Sequence, residues 1–156
     1  MAVQLYYIGN DNKNLFKEAE SEFIKRINFY HKFKVKSIPP LKNTRSLSVI
    51  EIQKKESQLF ESKIKACPCV ILLDEKGKTC NSKAFSSMLQ NKLNTNPEII
   101  FLIGGAFGFY SEFKIKYKNH LALSQLTYPH HLARLVLLEQ IYRGFTIINN
   151  EQYHND

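Results

Sequence analysis

Cysteine is scarce in this chain: Cys67, Cys69 and Cys80 are the only three. An odd number cannot be fully paired, and the C-P-C arrangement lacks the C-x-x-C spacing that clips zinc or runs thiol exchange. The three are expected as small apolar packing. Long apolar runs are missing too. The longest, Ile99 to Tyr110, is far short of the roughly 20 residues that span a bilayer and is broken by Gly104, Gly105 and Gly108. No membrane helix is expected. No basic stretch precedes the apolar Val3–Ile8, so a signal peptide is not expected either and the chain reads as cytoplasmic. The patterns G-x-G-x-x-G, G-x-x-x-x-G-K-[ST] and G-x-S-x-G are all absent. Rossmann redox chemistry, nucleotide hydrolysis and serine hydrolysis thereby lose their usual supports.

What is present fits one compact domain, residues 1–156. At this length, 44% apolar and 12% aromatic composition supplies a core, which excludes disorder, collagen and a miniprotein that needs staples. Val3–Ile8 is β-branched and aromatic and ends at Gly9-Asn10, a strand and a turn. Phe16, Ala19, Phe23, Ile27 and Tyr30 recur at helical steps. Phe33 and Val35 alternate with Lys32, Lys34 and Lys36, as on a half-solvated strand, up to Pro39-Pro40. A helix lined by Ile50, Leu59, Phe60 and Ile64 ends before Pro68. Cys69–Leu73 and Ile99–Ile103 are all-apolar runs, expected for strands covered on both faces. Between them lie an exit loop, Asp74–Lys78, and a helix that Ser82 is placed to cap. A short helix near Ser111–Tyr117, a strand Leu121–Ser124 and an apolar helix from about Leu132 to Phe145 complete the chain. This alternation predicts an α/β fold with a mostly parallel sheet flanked by helices.

In such sheets ligands sit beyond the carboxyl ends of the strands. The loops after Leu73, Ile103 and Ser124 are therefore the places to search. Gly104-Gly105 follows a buried strand directly, and glycine there lets a ligand approach the backbone. The string Leu102-Ile-Gly-Gly105, then Leu123-Ser-Gln-Leu-Thr-Tyr-Pro-His130, Arg134, Glu139-Gln-Ile-Tyr-Arg143 and the ending Tyr153-His154 resembles the small SPOUT-class RNA methyltransferases, and within them the RlmH family. That family methylates N3 of a pseudouridine in 23S ribosomal RNA. The resemblance covers the whole chain in length and element order, with its specific motifs from Leu102 onward.

The resemblance implies a C-terminal trefoil knot of the SPOUT methyltransferase type, which periodicity does not show. It implies S-adenosyl-L-methionine as methyl donor, held by Leu73, Ile103, Gly104, Gly105, Leu123, Ser124, Gln125, Leu126, Thr127 and Tyr128. It implies a homodimer acting on 23S rRNA within the ribosome, with no metal and no membrane. Leu135, Val136, Leu138, Ile141 and Tyr142, more apolar surface than one sheet covers, agree with a dimer. Methylating a ring imide nitrogen requires removal of its proton, and histidine, with an unperturbed pKa of about 6.5, suits that task. His154 is the candidate base or proton shuttle. Tyr153 is the candidate partner for the nucleobase, and Arg143 anchors a phosphate or the tail. Arg134 is expected to snorkel from the helix surface. Where the family often carries a basic residue after Tyr-His, this chain has Asn155-Asp156. His130 and His131, without a carboxylate or cysteine at ligand spacing, read as helix-start residues rather than metal ligands.

The chain carries 22 basic against 14 acidic residues, a net charge of +8. Nearly all of the excess lies before residue 100. Lys25, Arg26, Lys32, Lys34, Lys36, Lys42 and Arg45 occupy a stretch with no acidic residue, interleaved with Phe29, Tyr30 and Phe33. Of these, Lys25, Arg26, Lys32, Lys34, Lys36 and Arg45 are the expected RNA contacts. Two alternatives stay open: a non-catalytic basic α/β RNA-binding module, and a methyltransferase of the same class acting on tRNA.

Overall fold

The computed structural model describes residues 2–12, 14–64 and 67–155. Along the chain run β1 (Ala2–Ile8), α1 (Lys17–Tyr30), β2 (Phe33–Ile38), a 3-10 turn (Thr44–Ser46), α2 (Val49–Ile64), β3 (Val70–Lys78) and α3 (Ser82–Thr95). They are followed by β4 (Glu98–Ile103), α4 (Ser111–Lys116), β5 (Asn119–Leu121) and α5 (His130–Ile148). The five strands form one all-parallel sheet in the order β2-β1-β4-β3-β5. Among the described residues no helix is long and apolar enough to cross a membrane.

Period-two alternation sorts the sheet into two cores. Val3, Leu5 and Tyr7 of β1, Ile71 of β3 and Ile99, Phe101 and Ile103 of β4 face Ile27 of α1, Phe85 and Leu89 of α3, and Leu137, Leu138 and Ile141 of α5. The opposite parity, Tyr6, Ile8, Val70, Leu72, Ile100 and Leu102, meets Phe60 and Ile64 of α2 and Phe109 and Phe113 at α4. This double coverage is why the two central runs contain no polar residue. Cys69 is buried and Cys67 half-buried, whereas Cys80, between β3 and α3, is exposed and is not packing material; all three are free thiols. Burial pushes the Cys67 thiol up to about 11.

Several boundaries differ from the sequence expectation, each for a local reason. Asn81, not Ser82, caps α3: its side chain accepts the Ala84 N–H at 2.8 Å, while the Ser82 hydroxyl reaches Gln140 of α5 at 2.8 Å. The stretch Asp74–Lys78 is not a free exit loop. It continues β3 past an irregularity and returns to β5, with Leu121 paired to both Leu73 and Lys78. Gly77 makes this possible, since a Cβ there would stand 2.8 Å from the β5 backbone. β5 is Asn119–Leu121 rather than Leu121–Ser124, because after Ala122 the chain turns away and the Leu126 N–H bonds the Ser124 hydroxyl at 2.9 Å. In α2 the residues facing the sheet are Ile52, Glu56, Phe60 and Ile64, whereas Ile50 is 63% exposed.

Candidate active site

The carboxyl ends of β3, β4 and β5 open onto a cleft of about 940 Å³. Its wall includes Leu73, Ile103, Gly104, Gly105 and, from the segment after β5, Leu123, Ser124, Leu126, Thr127 and Tyr128. Nine of the ten residues assigned to the donor pocket are thus brought together. Gln125 is exposed and does not line the cleft. His130 and Ala133, at the start of α5, and Lys114 of α4 complete the rim.

The site is mostly neutral, with one fixed charge pair. Asp74 is ion-paired to Lys114. Burial works against the Asp74 charge, but the Lys114 ammonium and the Lys76 N–H outweigh it and hold the carboxyl below its ordinary value. Thr127 donates to Glu75 at 2.8 Å, which ties the segment after β5 to the end of β3. Gly105 C=O accepts the Gly108 N–H at 3.0 Å, and Gly108 takes a φ of 71°, a left-handed conformation that glycine supplies without a Cβ penalty. Burial pushes the His130 imidazole below its ordinary value, and His131 adds to that.

Beneath the start of α5 lies a polar network that corrects the expectation for Arg134. This residue is only 2% exposed and does not snorkel. Its Nε donates to Glu20 of α1 at 2.8 Å, its Nη2 donates to Asp11 at 2.9 Å, and the guanidinium lies 3.9 Å over the Tyr7 ring. Tyr7 donates to both Asp11 oxygens, at 2.6 and 2.7 Å. Burial, then the Asp11 bond, raises the Tyr7 hydroxyl to about 12. Burial opposes the Asp11 charge, yet the Tyr7 and Arg134 contacts hold its carboxyl below the ordinary value. The network joins the carboxyl end of β1 to α1 and to α5, whose first turn bears part of the rim.

The tail is held in place. Asn150 is left-handed, with a φ of 56°. Its N–H and that of Glu151 donate to the carbonyls of Ile147 and Thr146, the pair of hydrogen bonds that closes many helices. The chain then folds back along α5. Tyr153 donates to Glu139 at 3.2 Å and lies under the Arg143 guanidinium at 4.6 Å. Arg143 also donates to Glu139, at 2.9 Å from Nε, and its Nη1 is 3.2 Å from His154 Nδ1. The three assigned catalytic residues therefore form one cluster. It does not line the cleft: Arg143 lies ten residues beyond Ala133, about 15 Å along the helix axis. Asp156 lies outside the described residues.

The basic segment divides. Lys34 and Lys36 point to the α2 side of β2, opposite Phe33 and Val35. Lys36 bonds the Tyr6 hydroxyl at 2.7 Å and sits 4.8 Å from its ring. Lys25, Lys32 and Arg45 are exposed. Arg26 is drawn to Glu22 at 2.7 Å.

Besides Glu20, the buried counter-charge of Arg134, two buried charges escaped the sequence reading, Glu56 and Arg134. Each has a signal in spacing: Glu56 falls four residues from both Ile52 and Phe60, and Arg134 three and four before Leu137 and Leu138.

Over residues 1–154 the chain matches the family described as "Predicted SPOUT methyltransferase". It is 43% identical over 157 residues, 99% of both chains, to a "Ribosomal RNA large subunit methyltransferase H" of Flavobacterium psychrophilum. To the protein of that name from Parabacteroides distasonis it is 36% identical over the full length of both. Among solved structures, a "probable methylase family protein" from Haemophilus influenzae Rd KW20 shares the fold with a TM-score of 0.56 at 10% identity, over 99% of this chain and 70% of that one. On this full-length match, the protein is a member of the SPOUT methyltransferase family.

Proposed function

We propose that the protein methylates N3 of a pseudouridine in 23S ribosomal RNA, with S-adenosyl-L-methionine as donor. The observation that carries the reading is the cleft beyond β3, β4 and β5 in a chain that matches this family end to end. Its residues fit such a donor. Leu73, Ile103, Leu123 and Leu126 offer apolar contact, the glycines remove side chains from the approach, and Ser124 and Thr127 add hydroxyls. When bound, the donor's sulfonium supplies an electrophilic methyl group, transferred in line to the nitrogen. The protein's part is to position both partners and to take a proton.

His154 receives the N3 proton in this reading. Arg143 has donors only, so the 3.2 Å contact makes His154 Nδ1 an acceptor and puts the ring hydrogen on Nε2. The basic lone pair is then the one on Nδ1, so taking the N3 proton requires the Arg143 contact to loosen and free Nδ1 as the nucleobase docks. Tyr153 holds the base, and Arg143 holds the tail until then. Because the cluster stands away from its own cleft, the tail of one protomer closes the cleft of the other. Leu138 and Ile141 are buried in the core and offer no surface, which leaves the half-exposed Leu135, Val136 and Tyr142 of α5 to give the homodimer its apolar seam. Ile50, Phe107, Ile115 and Leu126 leave further apolar side chains exposed around the cleft mouth. The trefoil knot and a cytoplasmic location belong to the same reading.

The test is tritium transfer from S-adenosylmethionine to ribosomes lacking the mark, with mass spectrometry of the labelled nucleoside. Labelled N3-methylpseudouridine is the expected product. RNA binding without transfer would leave only a binding module, and label confined to tRNA would move the substrate.

RNA docking is assigned to the basic segment. Replacing Lys32, Lys34 and Lys36 together with Gln is expected to raise the apparent KM for ribosomes and leave donor affinity unchanged. The slope of log K against log salt should shrink by up to about 0.9 for each phosphate that is no longer neutralised. An unaltered slope would return these lysines to the solvated surface.

A further inference from the structure

Gly105 forms part of the cleft wall on one side and meets α2 on the other. A Cβ built on Gly105 would stand 2.3 and 2.5 Å from the two carboxylate oxygens of Glu56, so Glu56 already fills the space a side chain would need. Glu56 is 8% exposed and accepts the Gly105 N–H, while its Oε2 has no hydrogen-bond partner among the described residues. One turn earlier on the same helix, the Gln53 side chain donates to Phe107 C=O at 2.7 Å. The α2 helix therefore grips the 104–108 loop at two points. With its N–H on Glu56 and its C=O on Gly108, Gly105 has both backbone polar groups engaged.

A buried carboxylate with one unpartnered oxygen is a costly way to hold a loop. Its presence at the back of the cleft points to a role in the site rather than in stability alone. We propose that Glu56 is a positioning residue for the methyl donor. Through the Gly105 N–H it sets the curve of the loop against which the donor lies, and residue 105 is glycine because the carboxylate, not the ligand, occupies the Cβ position. The inference rests on the cleft being the donor site.

The reciprocal prediction is a rescue. Glu56→Ala should speed hydrogen exchange of the Gly105 amide and weaken S-adenosylhomocysteine binding, each by about tenfold, as for loss of a hydrogen bond to a charged group. Glu56→Gln keeps an acceptor and should stay within about threefold of wild type. Gly105→Ala alone should cost about tenfold in affinity, but less than about threefold more when added to Glu56→Ala, where the space is vacated. If the alanine variant unfolds, Glu56→Leu, of similar bulk and without an acceptor, repeats the amide-exchange and affinity measurements, with the Gly105→Ala penalty then expected to persist because the space stays filled. NMR exchange on the unliganded protein and calorimetric titration read the two effects separately. An unchanged Gly105 amide overturns the clamp, and so does a Gly105→Ala penalty that Glu56→Ala leaves intact. A changed amide with unchanged affinity overturns its role in donor binding. Wild-type protein that binds no S-adenosylhomocysteine, with a Gly105 amide still dependent on Glu56, strikes the cofactor assignment of the cleft instead.

Discussion

Arg134→Ala is expected to destabilise the protein by about 3–5 kcal/mol, the range for removing one partner of a buried ion pair. The cause is less the missing attraction than the state of what is left. Glu20 is 7% exposed, and without the guanidinium it becomes a buried carboxylate with no counter-charge. Tyr7 is deprived of the cation over its ring and Asp11 of a donor. With a urea m-value of about 1–3 kcal/mol/M, the unfolding midpoint should fall by roughly 1 M or more. The deficit is pH-dependent, and its direction follows from Asp11. A carboxyl held below its ordinary value of 3.8 in the folded state contributes stability above that value and loses it as pH falls through the folded pKa. The gap between wild type and variant should therefore be widest near neutrality and narrow below about pH 4. A midpoint unchanged at pH 7 would mean that the network contributes nothing to the fold.

His154→Ala is expected to slow methyl transfer by roughly 10²-fold or more, the typical contribution of a positioned acid or base. Affinity for S-adenosylhomocysteine should hardly change, because the Tyr153–Arg143–Glu139 contacts that keep the tail in place do not include the imidazole. Single-turnover kinetics on undermethylated ribosomes separate chemistry from binding. A variant as fast as wild type would take the proton away from His154, and with it the reason for the tail to enter a partner's cleft.

The sheet was legible because its central strands are covered on both faces, which purges polar residues from Val70–Leu73 and Ile99–Ile103. The segment Leu123–Tyr128 was legible as a site by resemblance alone. Its residues taken singly read as an ordinary strand exit, and the structure confirms only that it borders a cleft. Edges were read less well, since there a single side chain decides. Asn81 outcompetes Ser82 for the start of α3, and Gly77 lets Asp74–Lys78 fold back onto β5. The buried charges were read worst. A carboxylate or guanidinium in a sequence reads as solvent-facing, and nothing local reveals that Glu56 has Gly105 across from it or that Arg134 has Glu20 and Asp11. Their partners lie 49, 114 and 123 residues away, a separation that only the fold closes.

The pairing of β1 with β4 has a consequence for synthesis. Ala2 pairs with Glu98 and Tyr7 with Ile103, so β1 leaves the ribosome well before β4 and waits for one of its two neighbours. Between the end of β2 at Ile38 and the end of β4 at Ile103, 65 residues must be made, about 3–13 s at ordinary elongation rates of roughly 5–20 residues per second. Through that interval β1 and β2 are a two-stranded parallel ribbon with one apolar edge open, and a pair so small has little stability of its own. The nascent chain is most exposed to misassociation in that window. Mutations that weaken β4 should therefore lower the yield of folded protein during translation more than they lower its stability once made.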